Sequence, residues 1–145
     1  MKKILCPLIL FVSTICFGQS SDITKSLDSA NSNHKMVLVT FSGSDWCIPC
    51  IRMEKEVLEK EPFVSYAQHH LVVVKADFPR LKKHQLSKEV QKENSALAEK
   101  YNKKGTFPFT VLLDGKGNII KEWEGAIAST PEVFVHQLEA LQHEQ

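Results

Sequence analysis

The sequence predicts an α/β fold in which helices cover both faces of a central mixed sheet of about four to five strands. Two short apolar runs, 36–41 and 71–74, are typical of strands buried on both faces. Segments with apolar residues at helical spacing lie between and after these runs. Turn residues at 114–117 indicate an antiparallel hairpin. Because strands and helices alternate, the helices should pack on both faces of one sheet, with the hairpin at its edge.

The first half of the domain begins with an amphipathic helix. Ile23, Leu27 and Ala30 recur at helical spacing after the pair Ser21-Asp22, which can cap the first turn. The other elements predicted in this half are a strand at 36–41, a helix at 51–60, a short helix at 63–68 and a strand at 71–74 that ends by Asp77.

The second half opens with the polar stretch 79–85, which contains Arg80, Lys82, Lys83 and His84. Charge runs of this kind are usually solvated loops, and we favour that interpretation. The alternative is a docking surface for an acidic partner. The elements predicted after it are a helix capped by Ser87 that ends near Gly105, strands at 109–113 and 118–123, and a last helix that begins at Thr130-Pro131.

The first eighteen residues have the three-part pattern of a secretory signal peptide. Two lysines precede the apolar run 4–17, which is short for a membrane span. Small residues then allow cleavage after Gly18 or after Ser20. We therefore expect a signal peptide at 1–18 and one exported, periplasmic domain at 19–145; secretion and membrane association are the alternatives.

The charge of the chain is close to balanced, with 18 basic and 17 acidic side chains. This balance gives no reason to propose a nucleic-acid or membrane-surface partner. No motif indicates a cofactor or a metal, and we expect the domain to be a monomer.

The cysteines carry the clearest chemical signal. Cys6 and Cys16 lie in or beside the signal segment, so the domain keeps one Cys-x-x-Cys pair, Cys47 and Cys50, within the motif 46–50. A thiol pair at this spacing can close into a disulfide and reopen, which is redox chemistry. A purely structural disulfide in so short a loop would stabilise the fold little, and an inert thiol pair is rare in an oxidising compartment.

A zinc site is the remaining alternative for this pair, and it needs about four ligands. The domain has no second Cys-x-x-Cys. His69 and His70 would point to opposite faces at the start of a strand. These patterns favour redox chemistry over metal binding.

The two cysteines should have different roles. Cys47 lies where a buried strand has ended and a helix begins, so backbone N–H groups and the helix dipole should lower the pKa of its thiol. Only the thiolate attacks disulfides. Cys50 lies one turn into the helix, shielded but close enough to bond to Cys47. Pro49 in the first helical turn stiffens the loop between the sulfurs.

The motif and its surroundings resemble thioredoxin. The strand 37–41 runs into Trp-Cys-Ile-Pro-Cys at 46–50, Phe107-Pro108 resembles the family's cis-proline site, and Gly125-Ala126 resembles its third active-site loop. The resemblance covers about residues 23–141. The segments 41–47 and 77–80 are similar to exported thioredoxin-like proteins of bacteria.

This resemblance implies a thioredoxin-like fold and assigns roles to matching positions. Cys47 would be the nucleophile and Cys50 the resolving thiol. Pro108 would be cis, beside the cysteines, where the backbone of Phe107 can pair with an extended substrate. The residues implied to form an apolar substrate-binding rim are Trp46, Ile48, Pro49, Phe107 and Ala126.

The chain departs from thioredoxin at the buried acid that assists the resolving thiol. Thr40 is the nearest match to that acid. Asp45 could replace it, although an exposed loop carboxylate is the interpretation we favour. Lys75 resembles the lysine that pairs with the missing acid, so its role is open as well.

The resemblance implies a thiol-disulfide oxidoreductase, and the loop indicates its direction. A proline precedes Cys50 as in the reducing thioredoxin loop, and no histidine adjoins the cysteines to stabilise the thiolate. We therefore expect a reductase of protein disulfides, resupplied with electrons by a membrane thiol-disulfide donor. The alternatives are a disulfide oxidase or isomerase, and a thioredoxin-fold module that binds clients while its thiols are incidental.

Overall fold

The computed structural model describes residues 22–144, so the predicted signal segment and its cleavage site lie outside the described part of the chain. No helix within this range is long and apolar enough to cross a membrane. In chain order the elements are α1 (Ile23–Ser32), β1 (Met36–Ser42), α2 (Ile48–Met53), a π-helical segment (Glu54–Leu58), α3 (Phe63–His70), β2 (Leu71–Asp77), a 3-10 turn (Lys82–His84), α4 (Lys88–Tyr101), β3 (Phe109–Leu113), β4 (Ile119–Glu124) and α5 (Pro131–His143).

The sheet has four strands in the order β2-β1-β3-β4, which confirms the predicted mixed α/β architecture. β1 is parallel to β2 and antiparallel to β3, and β4 forms the antiparallel hairpin edge. β1 and β3 are the inner strands, and every residue of β3 is buried. β2 is an edge strand instead, and its Val73 is 37% exposed, so the prediction that this strand is buried on both faces was wrong at that position.

Apolar side chains alternate along the inner strands and supply one hydrophobic core on each face of the sheet. Leu38 and Leu112 point to the face covered by α2, α3 and α5, whose buried residues include Met53, Phe63, Phe134 and Leu138. Val37, Val39 and Val111 point to the opposite face, where Ala30 of α1 and Leu97 and Tyr101 of α4 cover them. The helices therefore pack on both faces, as the alternating pattern predicted.

Local capping signals were read correctly from the sequence. The Asp22 carboxylate accepts the amides of Thr24 and Lys25, and Ser87 and Thr130 cap α4 and α5. The helix begins at Ile48, directly after Cys47 as the motif predicted, and the helix formers predicted at 51–60 continue it as a π-helical segment after Met53.

The two adjacent histidines were placed wrongly from the sequence. His69 and His70 end α3 and do not begin β2. The His70 ring stacks on Tyr66, with the ring centroids 4.7 Å apart. Within residues 22–144 no group of three or more side chains is arranged to hold a metal ion.

Phe134 provides a test of the core on the α5 face. Its side chain is fully buried, stacked on Phe63 and in edge contact with Trp123. We expect Phe134→Ala to lower the free energy of unfolding by about 3–5 kcal/mol, because it removes apolar contacts and leaves a cavity. Val133→Ala is the matched control on the same helix, since Val133 is 48% exposed. Urea unfolding of both variants measures the difference, and equal losses would contradict this packing.

Candidate active site

Cys47 and Cys50 form a disulfide at the point where β1 leads into α2, with an S–S distance of 2.06 Å. The carbonyl of Gly43 accepts the amides of both Trp46 and Cys47, at 3.2 and 2.9 Å, and this turn brings Cys47 to the start of the helix. Only glycine fits at position 43, because a Cβ there would collide with the Trp46 indole. The disulfide pair is therefore held by local backbone bonds at one end of the sheet.

The sulfur of Cys47 caps α2, as the sequence predicted for this position. Its Sγ accepts the backbone N–H of Cys50 at 3.3 Å. Helical backbone continues without a break from Ile48 through Leu58, so the sulfur lies at the positive end of a helix of about three turns. When the disulfide is reduced, this position favours the thiolate of Cys47 over its thiol. Both cysteines are buried, since Cys50 is 2% exposed and Cys47 is 5% exposed.

Pro108 lies at the same end of the sheet as the cysteines. The Phe107–Pro108 peptide bond is cis, as expected, and it directly precedes β3. Because Phe41 and Phe109 are paired in register, the end of β1 and the residue before β3 lie side by side. The Pro108 carbonyl accepts the amide of Gly125 at 2.9 Å, which ties the third loop to this corner.

The residues predicted to form a substrate rim separate into two groups. Trp46 and Phe107 are in edge-to-face contact, with centroids 5.5 Å apart, and Phe107 contacts Phe78 in the same way. Ile48, Pro49 and Ala126 line a groove on the other side of the helix start. Ile48 is 64% exposed, so this group presents apolar surface to solvent. The structure thus brings all the predicted rim residues to the motif, on two flanks.

Asp45 has a different environment from the exposed loop position expected for it. Its side chain is only 4% exposed, and its oxygens accept the amides of Arg80 and Leu81, each at 2.9 Å. The Nδ1 atom of His84 lies 3.1 Å from the same carboxylate. The Arg80 amide, more than any other contact, holds the pKa of Asp45 below its ordinary value. Asp45 therefore fastens the 79–85 stretch to the motif.

Trp46 makes a second connection to this stretch. Its indole Nε1 donates to the Phe78 carbonyl at 2.8 Å. The guanidinium of Arg80 lies 3.8 Å from the centre of the Trp46 ring, in a cation–π contact. Residues 80–85 are exposed, as expected of a solvated loop, but two of their amides bond to Asp45 and the Arg80 side chain contacts Trp46, so the stretch is also tied to the motif.

A carboxylate that sequence analysis missed lies behind Cys50. Thr40 is buried and adjoins Lys75 in the parallel register, and the Lys75 ammonium forms an ion pair with Glu54. Glu54 lies one helical turn after Cys50, and the backbone N–H of Glu54 donates to the Cys50 carbonyl. Cys50, Glu54 and Lys75 line one pocket of about 450 Å³. The signal that could have identified Glu54 is its spacing of four residues from Cys50 along the same helix.

The comparisons with known proteins all indicate the same family. A profile described as a thioredoxin-like domain matches residues 23–142. The disulfide bond reductase DsbH of Chlamydia pneumoniae is 36% identical over 99 residues, covering 68% of this chain and 58% of that protein. The thioredoxin-related protein DsbJ of the same organism is 34% identical over 92 residues, covering 63% of this chain and 26% of that protein.

Solved structures give the same result for the fold. A DsbH oxidoreductase superposes with a TM-score of 0.74 at 28% identity, over 84% of this chain and 82% of that one. A thioredoxin from Thermus thermophilus superposes with a TM-score of 0.58 at 21% identity, over 81% of this chain and 82% of that one, which shows the fold alone. The chain spans less than two thirds of the two curated relatives, so similarity to them does not extend over their whole length.

The role of Asp45 can be tested by loosening its contacts. We expect Asp45→Ala to speed hydrogen exchange at the amides of Arg80 and Leu81, because these donors lose their carboxylate partner. Asp28→Ala, at an exposed position of α1, is the matched control. Unchanged exchange at both amides would contradict an anchoring role.

The same contacts should depend on pH. Because the pKa of Asp45 is lowered in the folded state, its contribution to stability is present above the ordinary value of 3.8. That contribution is lost as the pH falls through the lowered pKa. Exchange at the Arg80 amide in wild-type protein should therefore approach that of Asp45→Ala only in strong acid.

Proposed function

Because this chain belongs to the thioredoxin-like domain family, we propose that it is a thiol-disulfide oxidoreductase that reduces disulfides of exported proteins. The observation that carries this proposal is the Cys47–Cys50 disulfide with the Cys47 sulfur at a helix N-terminus. The name of its relative, disulfide bond reductase DsbH, supports the same activity. Export rests on the signal-like pattern at residues 1–18.

In the first step the reduced protein uses Cys47 as the nucleophile. The Cys47 thiolate attacks one sulfur of the substrate disulfide, so that the substrate S–S bond breaks and a mixed disulfide forms. The departing substrate sulfur leaves as a thiolate and takes a proton from water. The aromatic and apolar groups on both flanks of the motif, Trp46 and Phe107 on one side and Ile48, Pro49 and Ala126 on the other, would contact the bound substrate. The backbone of Phe107, which lies at the same end of the sheet as the cysteines, would pair with an extended substrate segment.

In the second step Cys50 resolves the mixed disulfide. Its thiol must lose a proton before it attacks the Cys47 sulfur, and Cys50 is too buried for bulk water to take that proton freely. Glu54 lines the same pocket and carries the carboxylate that receives it. The Cys47–Cys50 bond then forms, the second substrate thiolate departs, and two electrons have passed from this protein to its substrate.

Each turnover leaves this protein oxidised, so it needs a reductant. Outside the cytoplasm there is no pool of reduced thioredoxin to supply electrons. We therefore assign the supply of electrons to a membrane thiol-disulfide donor, which reduces the Cys47–Cys50 bond by the same exchange. The chain would act as a monomer. Its direction follows from the loop, which has Pro49 before Cys50 and no histidine to stabilise the thiolate.

Exposed apolar surface beside the motif favours a second candidate, a client-binding module. Ile48 is 64% exposed and lines a groove with Ala126, which could hold an unfolded segment without any exchange of electrons. The two candidates differ in whether Cys47 is required.

The cysteines provide the first test. We expect Cys47→Ser to abolish the acceleration of insulin reduction over the rate with dithiothreitol alone, because no nucleophile remains in the protein. Cys50→Ala should instead accumulate mixed disulfides on Cys47, because nothing resolves them. Insulin turbidity and mass spectrometry of the trapped adducts measure these outcomes, with Ser32→Ala, at an exposed position of α1, as a control away from the motif. Equal rates of insulin reduction for wild type and Cys47→Ser would favour the client-binding candidate.

The redox potential of the same wild-type protein separates a reductase from an oxidase or isomerase. We expect a value close to the roughly −270 mV of thioredoxin, since the loop gives the thiolate little extra stabilisation. A value near the roughly −180 mV of protein disulfide isomerase would indicate an oxidase or isomerase instead of a reductase.

Glu54 provides a test of the resolving step. We expect Glu54→Gln to slow release of a chromophoric thiol from a mixed disulfide on Cys47 by roughly tenfold to a hundredfold near pH 7, because the proton acceptor is gone. The deficit should shrink above about pH 8.5, where a thiol ionises without help. Glu99→Gln removes the same charge at an exposed position of α4 and should stay close to wild type. A wild-type pH profile in Glu54→Gln would show that Glu54 is not the proton acceptor for Cys50.

A further inference from the structure

The stretch that Asp45 fastens to the motif carries an unusual charge. Between residues 79 and 88 four side chains are basic, at Arg80, Lys82, Lys83 and Lys88, and none is acidic. All four are exposed. Within residues 22–144 no ion pair joins any of them to a carboxylate. We call this segment, residues 79–88, the basic loop. It is a local positive surface whose four charges are not neutralised by ion pairs, in a chain whose total charge is nearly balanced.

The basic loop is held in one conformation more firmly than a solvated loop. Two of its amides, those of Arg80 and Leu81, donate to the nearly buried carboxylate of Asp45. The Gln85 side chain donates to the Pro79 carbonyl at 3.0 Å, and the His84 amide donates to the Leu81 carbonyl at 2.9 Å. Because its backbone is already fixed, the loop itself loses less conformational entropy on binding a partner than a mobile loop would.

The basic loop is also fixed next to the nucleophile. Asp45 and Trp46, the two residues that bond to the loop, directly precede Cys47. The Arg80 guanidinium lies over the Trp46 ring at 3.8 Å, so the positive surface continues onto the aromatic flank of the motif. Leu81 adds an apolar contact within the same surface, since it is 47% exposed. A protein segment bound to this flank of Cys47 therefore meets the basic loop.

From this placement we propose that the basic loop selects protein partners whose disulfide is flanked by aspartate or glutamate residues. The inference rests on the proposed oxidoreductase function and names the class of substrate. A protein segment is the occupant because it alone carries both the disulfide that reaches Cys47 and carboxylates a few residues away. The carboxylates pair with Lys82 and Lys83, which steer the partner to the motif and raise the rate of the first exchange.

The test uses three peptides that contain the same disulfide, flanked by glutamates, by glutamines or by lysines. We expect wild-type protein at low salt to reduce the glutamate peptide with a kcat/KM roughly tenfold above that of the glutamine peptide, and to reduce the lysine peptide more slowly than either. Lys82→Glu with Lys83→Glu should reverse this order. At about 0.5 M salt the preference should fall below roughly twofold, because exposed charges are then screened.

The matched control is Lys116→Glu with Lys121→Glu, which changes the total charge equally. Both lysines are exposed; Lys116 lies in the turn of the β3–β4 hairpin, at the opposite end of the sheet from Cys47, and Lys121 pairs with Leu112 close to that turn. The control should keep the wild-type preference and should reduce the glutamine peptide at the wild-type rate.

Two different failures can be told apart. Equal kcat/KM for all three peptides in wild type, or an equal loss of preference in both double variants, would overturn the docking role of the basic loop. Failure of wild type to reduce even the glutamine peptide would instead overturn the oxidoreductase function itself.

Discussion

The candidate active site depends on one junction, the point at which β1 leaves the sheet and α2 begins. The Gly43 carbonyl accepts two successive amides there, and the Cys47 sulfur then accepts the amide of Cys50. β1 is an inner strand, paired on both sides and buried on both faces. The junction therefore starts from the core and is closed by these loop bonds, which together keep one sulfur at a helix N-terminus. The chemical difference between the two cysteines follows from that position.

Two aspartates connect this junction to the end of the neighbouring strand. Asp77, the last residue of β2, accepts the amide and the hydroxyl of Ser44 at 2.8 and 2.6 Å. Asp45 makes the reciprocal connection by accepting the amides of Arg80 and Leu81. The segment after β2 is thereby fixed against the segment after β1. Chemistry at the cysteines and recognition at the basic loop thus share one framework, which is the parallel pairing of these two strands.

Much of the fold could be predicted because its signals are local. Caps such as Asp22 and Ser87 act on amides two or three residues away, and apolar alternation reports burial directly. The exposure of Val73 could not be predicted, because an apolar run does not show which strand lies at the edge of the sheet. The π-helical segment after Met53 was missed as well, since its residues are ordinary helix formers and no composition distinguishes the wider turn.

By itself, the sequence determined the order of elements, the cysteine pair and which sulfur begins a helix, because each depends on residues within one or two turns. Only the tertiary structure decided that Glu54 meets Lys75 and that Asp45 accepts backbone hydrogen bonds from the basic loop. These contacts join residues 21 and 35 positions apart. The physical reason is that such approaches are set by the register of β1 on β2, which no short stretch of the chain contains.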